Sequence, residues 1–226
     1  TEVIKNACQN VCAMTSSYER ELRAVLAGSE DGVNAVTKSC SVLEKARAMK
    51  VIQKPFLVVR AAGSGIEGSG DLVALRGDLS FPIEVKTSSK KKLYLSGRTM
   101  AQYLALQKEG NRCGLMPLYA YRLKSVRGDS WRIFRVETDN LRGKASVLVR
   151  RIPALPLTKN GNPMLDWDLG LPLHKFLSVV CGSESISNTK SNVLVAESKA
   201  ELKVDVIDNE NTFQEKEPIW MKSFRN

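Results

Sequence analysis

Gly70-Asp71-Leu72-Val73-Ala74-Leu75-Arg76-Gly77-Asp78-Leu79-Ser80-Phe81-Pro82-Ile83-Glu84-Val85-Lys86-Thr87 is the stretch that decides the fold. Two short apolar runs, Asp71–Leu75 and Phe81–Thr87, flank Arg76-Gly77-Asp78, a turn signal that predicts an antiparallel hairpin. Residues two apart on a strand share a face, so Glu84 and Lys86 project together while Val85 turns toward a core. With the hairpin paired, Asp71 lies close to Glu84. Two carboxylates at that range repel unless a divalent cation lies between them, and hard oxygen donors are what Mg²⁺ takes. A lysine beside them can hold a water or stabilise charge developing on a phosphate. Metal-assisted phosphodiester hydrolysis is the chemistry this set suits. As a bare pattern, Asp-x₁₂-Glu-x-Lys also arises by chance in a chain with 24 acidic and 34 basic residues, where it is an ordinary surface hairpin.

Working outward gives the pattern its context. Upstream, Phe56–Ala62 reads as a strand running into Gly63-Ser64-Gly65-Ile66-Glu67-Gly68-Ser69-Gly70, a loop expected to be mobile. Ser and Thr at 15–17, apolar residues at 22, 25 and 26, and Gly28 as a stop predict a helix that carries Glu19. Asp31–Lys54 is weakly helical through Val42–Met49 and reads as an insertion or a second helix. Downstream, Thr99–Glu109 has helical spacing and stops at Gly110, and Leu115–Leu123 with Trp131–Val136 predict a second hairpin around Arg127-Gly128-Asp129. The order α-β-β-β-α-β-β over about residues 15–137 calls for an α/β fold, a mixed sheet with flanking helices. Beyond it, Ser146–Ile152 reads as a strand, Leu173–Val180 as a short helix, and 183–213 as a flexible polar tail.

Length and composition bound the classes. The 226 residues suit one large domain or a domain with appendages, and 43% hydrophobic with 26% charged is ordinary for a globular chain. No apolar run approaches the ~18–20 residues of a membrane helix, and the first twenty residues lack the apolar core of a signal peptide. An intracellular compartment is expected, with Thr1 leaving open a processed start. Five scattered cysteines and one histidine make neither a disulfide framework nor a zinc site, so buried thiols and a satisfied His174 are expected. The net charge is +10, and residues 51–150 hold 18 basic against 8 acidic side chains, whereas residues 183–226 hold 6 against 8. Such a basic centre is either a solvated surface or a face for a polyanion such as nucleic acid.

Five motifs then occur in order: Tyr18-Glu19-Arg20-Glu21-Leu22, Val58-Val59-Arg60-Ala61-Ala62-Gly63-Ser64, Gly70-Asp71-Leu72-Val73-Ala74, Ile83-Glu84-Val85-Lys86-Thr87 and Leu93-Tyr94. Together they resemble the archaeal Holliday junction resolvases of the PD-(D/E)xK nuclease superfamily. Pro117-Leu118-Tyr119-Ala120-Tyr121 and Ser130-Trp131-Arg132-Ile133-Phe134 fit that family's closing strands. The resemblance implies a restriction-endonuclease-like fold and a structure-specific endonuclease that cleaves four-way DNA junctions by paired symmetric nicks. It implies Glu19, Asp71 and Glu84 as ligands of one or two Mg²⁺ ions, with Mn²⁺ able to substitute, and Lys86 as the residue that positions or activates water. Arg20 and Arg60 would contact the DNA backbone or the scissile phosphate, and Ser64 and Ser69 would ride on a loop over the branched substrate. A two-fold substrate favours a C₂ homodimer.

Several readings stay open at this level. Glu21 is the alternative to Glu19, since only one of them faces the sheet. Lys90, Lys91 and Lys92 either track a DNA arm or form a solvated turn, and Trp131 reads as core. Thr99–Glu109 lacks the phenylalanines associated with the dimer surface of some relatives. The expected division is a nuclease core at 1–138 with an insertion near 29–55, an extension at 139–182 packed on the core, and an acidic tail at 183–226. Trp220 and Phe224 in that tail are a candidate partner contact. The rivals are a related nuclease with another DNA substrate, of restriction, flap or repair type, and a non-catalytic DNA-binding protein. A cytoplasmic, nucleoid-associated protein is expected. A chain ending at residue 182 is expected to keep its melting temperature and its turnover; a large loss of either would make the tail structural.

Overall fold

Three helices open the described chain: α1 (residues 17–26), α2 (Glu30–Thr37) and α3 (Val42–Gln53). The computed structural model describes residues 17–61, 68–77 and 79–182, all within the unit Thr1–Glu184. The expected tail with Trp220 and Phe224, and the loop serine Ser64, lie outside the described residues. The stretch read as an insertion or a second helix forms two helices, α2 and α3, because each has its own start signal. Ser29 Oγ accepts from the amide of Gly32, and Ser41 with Glu44 closes a reciprocal capping box. Gly28, at φ +73°, supplies the left-handed turn between α1 and α2.

The strands follow as β1 (Leu57–Arg60), β2 (Leu72–Arg76), β3 (Leu79–Ser88) and β4 (Lys92–Tyr94), then helix α4 (Arg98–Cys113), then β5 (Leu118–Leu123) and β6 (Trp131–Arg135). Six strands make one sheet in the order β1-β2-β3-β5-β6-β8, where β8 is Leu171–Pro172. Only β3 and β5 run parallel, joined across α4; the other pairs are antiparallel. The expected mixed sheet with flanking helices is what forms.

Alternation along β3 divides two cores. Leu79, Phe81, Ile83 and Val85 face one side, with Leu22, Val25 and Leu26 of α1, Ala48 and Val51 of α3, and the closing helix α6 (Leu173–Gly182). The Phe81 ring stands 6.0 Å from those of Phe56 and Phe176. On the other side α4 brings Tyr103 and Leu106 against Tyr119, Tyr121 and Phe134. Among the described residues no helix is long and apolar enough to cross a membrane.

One expected element is of the wrong type. Ser146–Ile152 does not form a strand: the chain makes helix α5 (Gly143–Leu148) and a turn whose Ile152 amide bonds back to the Leu148 carbonyl. Leu148 and Ile152, four apart, are buried while Val147, Arg150 and Arg151 are exposed. That is one-sided helical burial, and strand alternation would have buried every second residue. Three short strands were also unmarked in the sequence: β4 and β7 (Met164–Asp166), which pair with each other, and β8, which covers the edge of β6.

Arg76 ties the last helix to the sheet. Its guanidinium stacks 4.2 Å from the Phe56 ring centroid and donates to the carbonyls of Lys54, at 2.7 Å, and Val180, at 2.5 Å. Replacing it with Met keeps most of the stem but leaves two carbonyls without a charged donor. Arg76→Met is expected to cost about 2–4 kcal/mol and to lower the melting temperature by about 5–15 °C. An unchanged melting temperature would mean that the apolar face of α6 suffices to hold it.

Candidate active site

The β2–β3 ladder ends with Leu72 opposite Ile83, and there a side chain takes over from the backbone. Asp71 donates its own amide to the Ile83 carbonyl at 2.8 Å, and its Oδ2 accepts from the Val85 amide at 2.8 Å. The carboxylate is thus clamped against β3 beside Glu84. Gly70 makes the close approach possible: at φ +73°, a Cβ there would sit 2.7 Å from the Ile83 carbonyl oxygen.

Val85 enters the core, so Glu84 and Lys86 emerge on the α4 side, as the alternation predicts. Glu84 is 4% exposed. Lys86 Nζ donates to Glu84 Oε1 at 2.6 Å and to Gln102 Oε1 of α4 at 2.9 Å. From the opposite layer α1 delivers Glu19, 5% exposed, whose Oε2 accepts from Arg60 Nε of β1 at 3.1 Å. Burial raises the Glu84 carboxyl above the ordinary carboxylate range; Lys86 opposes this, while Asp71 and Glu19 add to it. Glu19 is raised likewise, by burial first and then by Asp71, against the pull of Arg60. Three carboxylates therefore share one field, with two cations beside them.

Among the described residues, no three His, Cys, Asp or Glu side chains converge at ligand distance. The donor chemistry nevertheless fits a hard divalent cation. All three groups are carboxylates, Glu19 and Glu84 are desolvated, and each raises or is raised by another, the repulsion that a cation between them relieves.

The remaining candidate residues are distributed unevenly. Arg20 is exposed on α1, and the Arg60 side chain is about half exposed beside Glu19. Ser69 lies half-buried at the end of the glycine-rich loop. Lys91 pairs with Asp168 at 3.0 Å and Lys92 with Asp166 at 3.2 Å, while the Lys90 carbonyl accepts from the Tyr121 hydroxyl. Two of the three lysines therefore share their charge with carboxylates. Glu21 points away from this site: it accepts from Trp131 Nε1 at 2.7 Å and from Arg122 Nε at 3.0 Å. Trp131 is fully buried, as expected, and His174 donates from its backbone amide and Nδ1 to Asp129 Oδ2, both at 2.8 Å.

Two residues at the site had no sequence signal. Gln102 is a polar position between apolar ones on a helix, and only the fold shows that it meets Lys86. Tyr119 stands opposite Glu84 in the parallel β3–β5 register, fully buried, its hydroxyl without a hydrogen-bond partner. Burial, with the nearby Glu84 charge, raises its pKa well above the usual phenol range.

The family model described as archaeal Holliday junction resolvase (Hjc) matches residues 43–159. It leaves out the helix that carries Glu19 and runs on through α5, past the expected core boundary at 138. Among solved structures, that of Archaeoglobus fulgidus Hjc, described as a Holliday junction resolvase from an archaeal hyperthermophile, is 24% identical, with 60% of this chain and 97% of that chain covered and a TM-score of 0.38. No curated protein matches. With its matched span exceeding half of the sequence, the chain belongs to the archaeal Holliday junction resolvase family.

Proposed function

We propose that this chain is a Mg²⁺-dependent endonuclease that resolves four-way DNA junctions by paired symmetric nicks, working as a C₂ homodimer. The observation that carries the reading is the meeting of Asp71, Glu84 and Lys86 at the end of the β2–β3 ladder, with Glu19 reaching the same field from α1. Glu19, Asp71 and Glu84 would hold the cation, Mg²⁺ or Mn²⁺, which supplies Lewis-acid stabilisation of charge on the phosphate. The chain's own groups do the rest. Lys86 uses two of its three N–H bonds on Glu84 and Gln102 and has a third for a water or a phosphate oxygen. Arg60 keeps Glu19 on one side and offers its exposed edge to phosphate, with Arg20, Ser64, Ser69 and Lys90 as further backbone contacts. Lys91 and Lys92 would contribute only as their carboxylate partners give way.

Phosphate contacts would supply affinity, and branch shape rather than base edges would supply specificity. Two sites related by a two-fold axis match the two symmetry-related strands of a junction. In this reading residues 139–182 act as an extension that completes the core, since β7, β8 and α6 supply strand partners and apolar cover to it.

Three experiments test the reading. Asp71→Asn or Glu84→Gln is expected to lower the nicking of a synthetic four-way junction by roughly 10²–10³-fold while leaving junction binding near the parent level. Cleavage near the parent rate would remove these residues as ligands. Mg²⁺ is expected to raise the melting temperature of the parent by mass action and not that of Asp71→Asn. Junction affinity should also fall steeply with salt, with a log–log slope of roughly −0.9 per phosphate neutralised. A flat salt response would count against the nucleic-acid surface.

A further inference from the structure

We propose that Gln102 of α4 is the positioning residue of Lys86: its amide oxygen fixes where the ammonium points, without itself touching substrate. The inference rests on the reading of Lys86 as the group beside the scissile phosphate, and it goes further by naming what holds that group. A lysine head is a compact charge on a flexible four-carbon stem, so one ion pair leaves it free to swing about its partner. Lys86 has two acceptors drawn from different layers of the fold: Glu84 Oε1 of its own strand at 2.6 Å and Gln102 Oε1 of the covering helix at 2.9 Å. Two directions fixed on a tetrahedral ammonium fix the remaining N–H as well.

The chemical type of the second acceptor matters. A carboxylate at position 102 would add a fourth negative charge to the field of Glu19, Asp71 and Glu84 and would compete with phosphate for the ammonium. An amide oxygen accepts the hydrogen bond and leaves the charge of Lys86 unspent. Gln102 is also the partner of Lys86 that stands outside the carboxylate set, so its hold does not depend on how Glu84 is otherwise engaged. The Lys86 side chain is 17% exposed, so solvent does little to loosen the arrangement. Gln102 lies in the first turns of a sixteen-residue helix packed on the sheet through Tyr103 and Leu106, which makes its backbone a rigid mount.

The bland alternative is that Gln102 merely staples α4 to β3. The two differ in what they move. Gln102→Met keeps the length of the side chain and removes the acceptor. Positioning predicts that kcat on a synthetic four-way junction falls by about 10²-fold, the scale of a misplaced catalytic group, with KM and junction affinity without divalent cation within twofold of the parent and the melting temperature unchanged. It also predicts that Gln102→Met costs nothing further in a Lys86→Met background, because residues acting through one another do not add. Gln102→Asn, which retains the amide but withdraws it by one methylene, should show the same split and serves if the Met variant folds poorly. A kcat within twofold of the parent, a loss that multiplies with that of Lys86→Met, or a fall in melting temperature that accounts for the lost turnover would each overturn the proposal. Parent-like turnover by Lys86→Met alone would instead overturn the underlying reading of Lys86.

Discussion

The structure depends on the register of β3. This strand is flanked on both sides, antiparallel to β2 and parallel to β5, and covered on both faces. A slip of one residue would send Glu84 and Lys86 into the apolar layer of α1, α3 and α6, and would bring Ile83 and Val85 to the α4 side. Burial therefore enforces the position of the charged pair more strongly than any contact the pair makes. The Asp71 carboxylate is set by the same register, because it bonds the Val85 amide at the point where the ladder to β2 stops.

What this arrangement holds is electrostatically uncomfortable. Glu84 and Glu19 are desolvated and near other carboxylates, and both are pushed toward the protonated form. Tyr119 adds a buried hydroxyl with no partner on the same face. A core selected for stability alone would not keep these groups, and perturbed titrating side chains clustered in this way mark functional sites. Lys86 and Arg60 limit the repulsion, each pairing with one of the acids.

Much of this was legible in the sequence, for reasons particular to the residues. Period-two alternation ending in Glu84-Val85-Lys86 defined both the strand and the face of its charges, and Arg76-Gly77-Asp78 defined its partner. The preference for Glu19 over Glu21 came from the family motif and not from helical spacing, since two residues apart on a helix lie on nearly opposite sides and the spacing does not say which side meets Trp131. Gln102 and Tyr119 were invisible because their significance lies in contacts made across layers. In α5, Ser146–Ile152 was apolar enough for a strand, but its buried residues fall at helical spacing. Strands as short as β7 and β8, set among prolines, carry too few residues for a period to emerge.

The order in which the sheet is completed has a consequence for synthesis. Every strand that carries a candidate catalytic residue lies before Arg135, yet after Pro153 and Leu155 have bonded the Arg135 end of β6, its outer edge at Arg132 and Ile133 is closed only by β8, about 36 residues beyond Arg135. At roughly 5–20 residues per second, a ribosome takes about 2–7 s to cover that distance, and meanwhile the nascent sheet offers an open edge to any other extended chain. The closing strand is suited to end that exposure. Its Pro172 has no N–H to offer, so once β8 is docked this edge of the sheet presents a poor template for further growth.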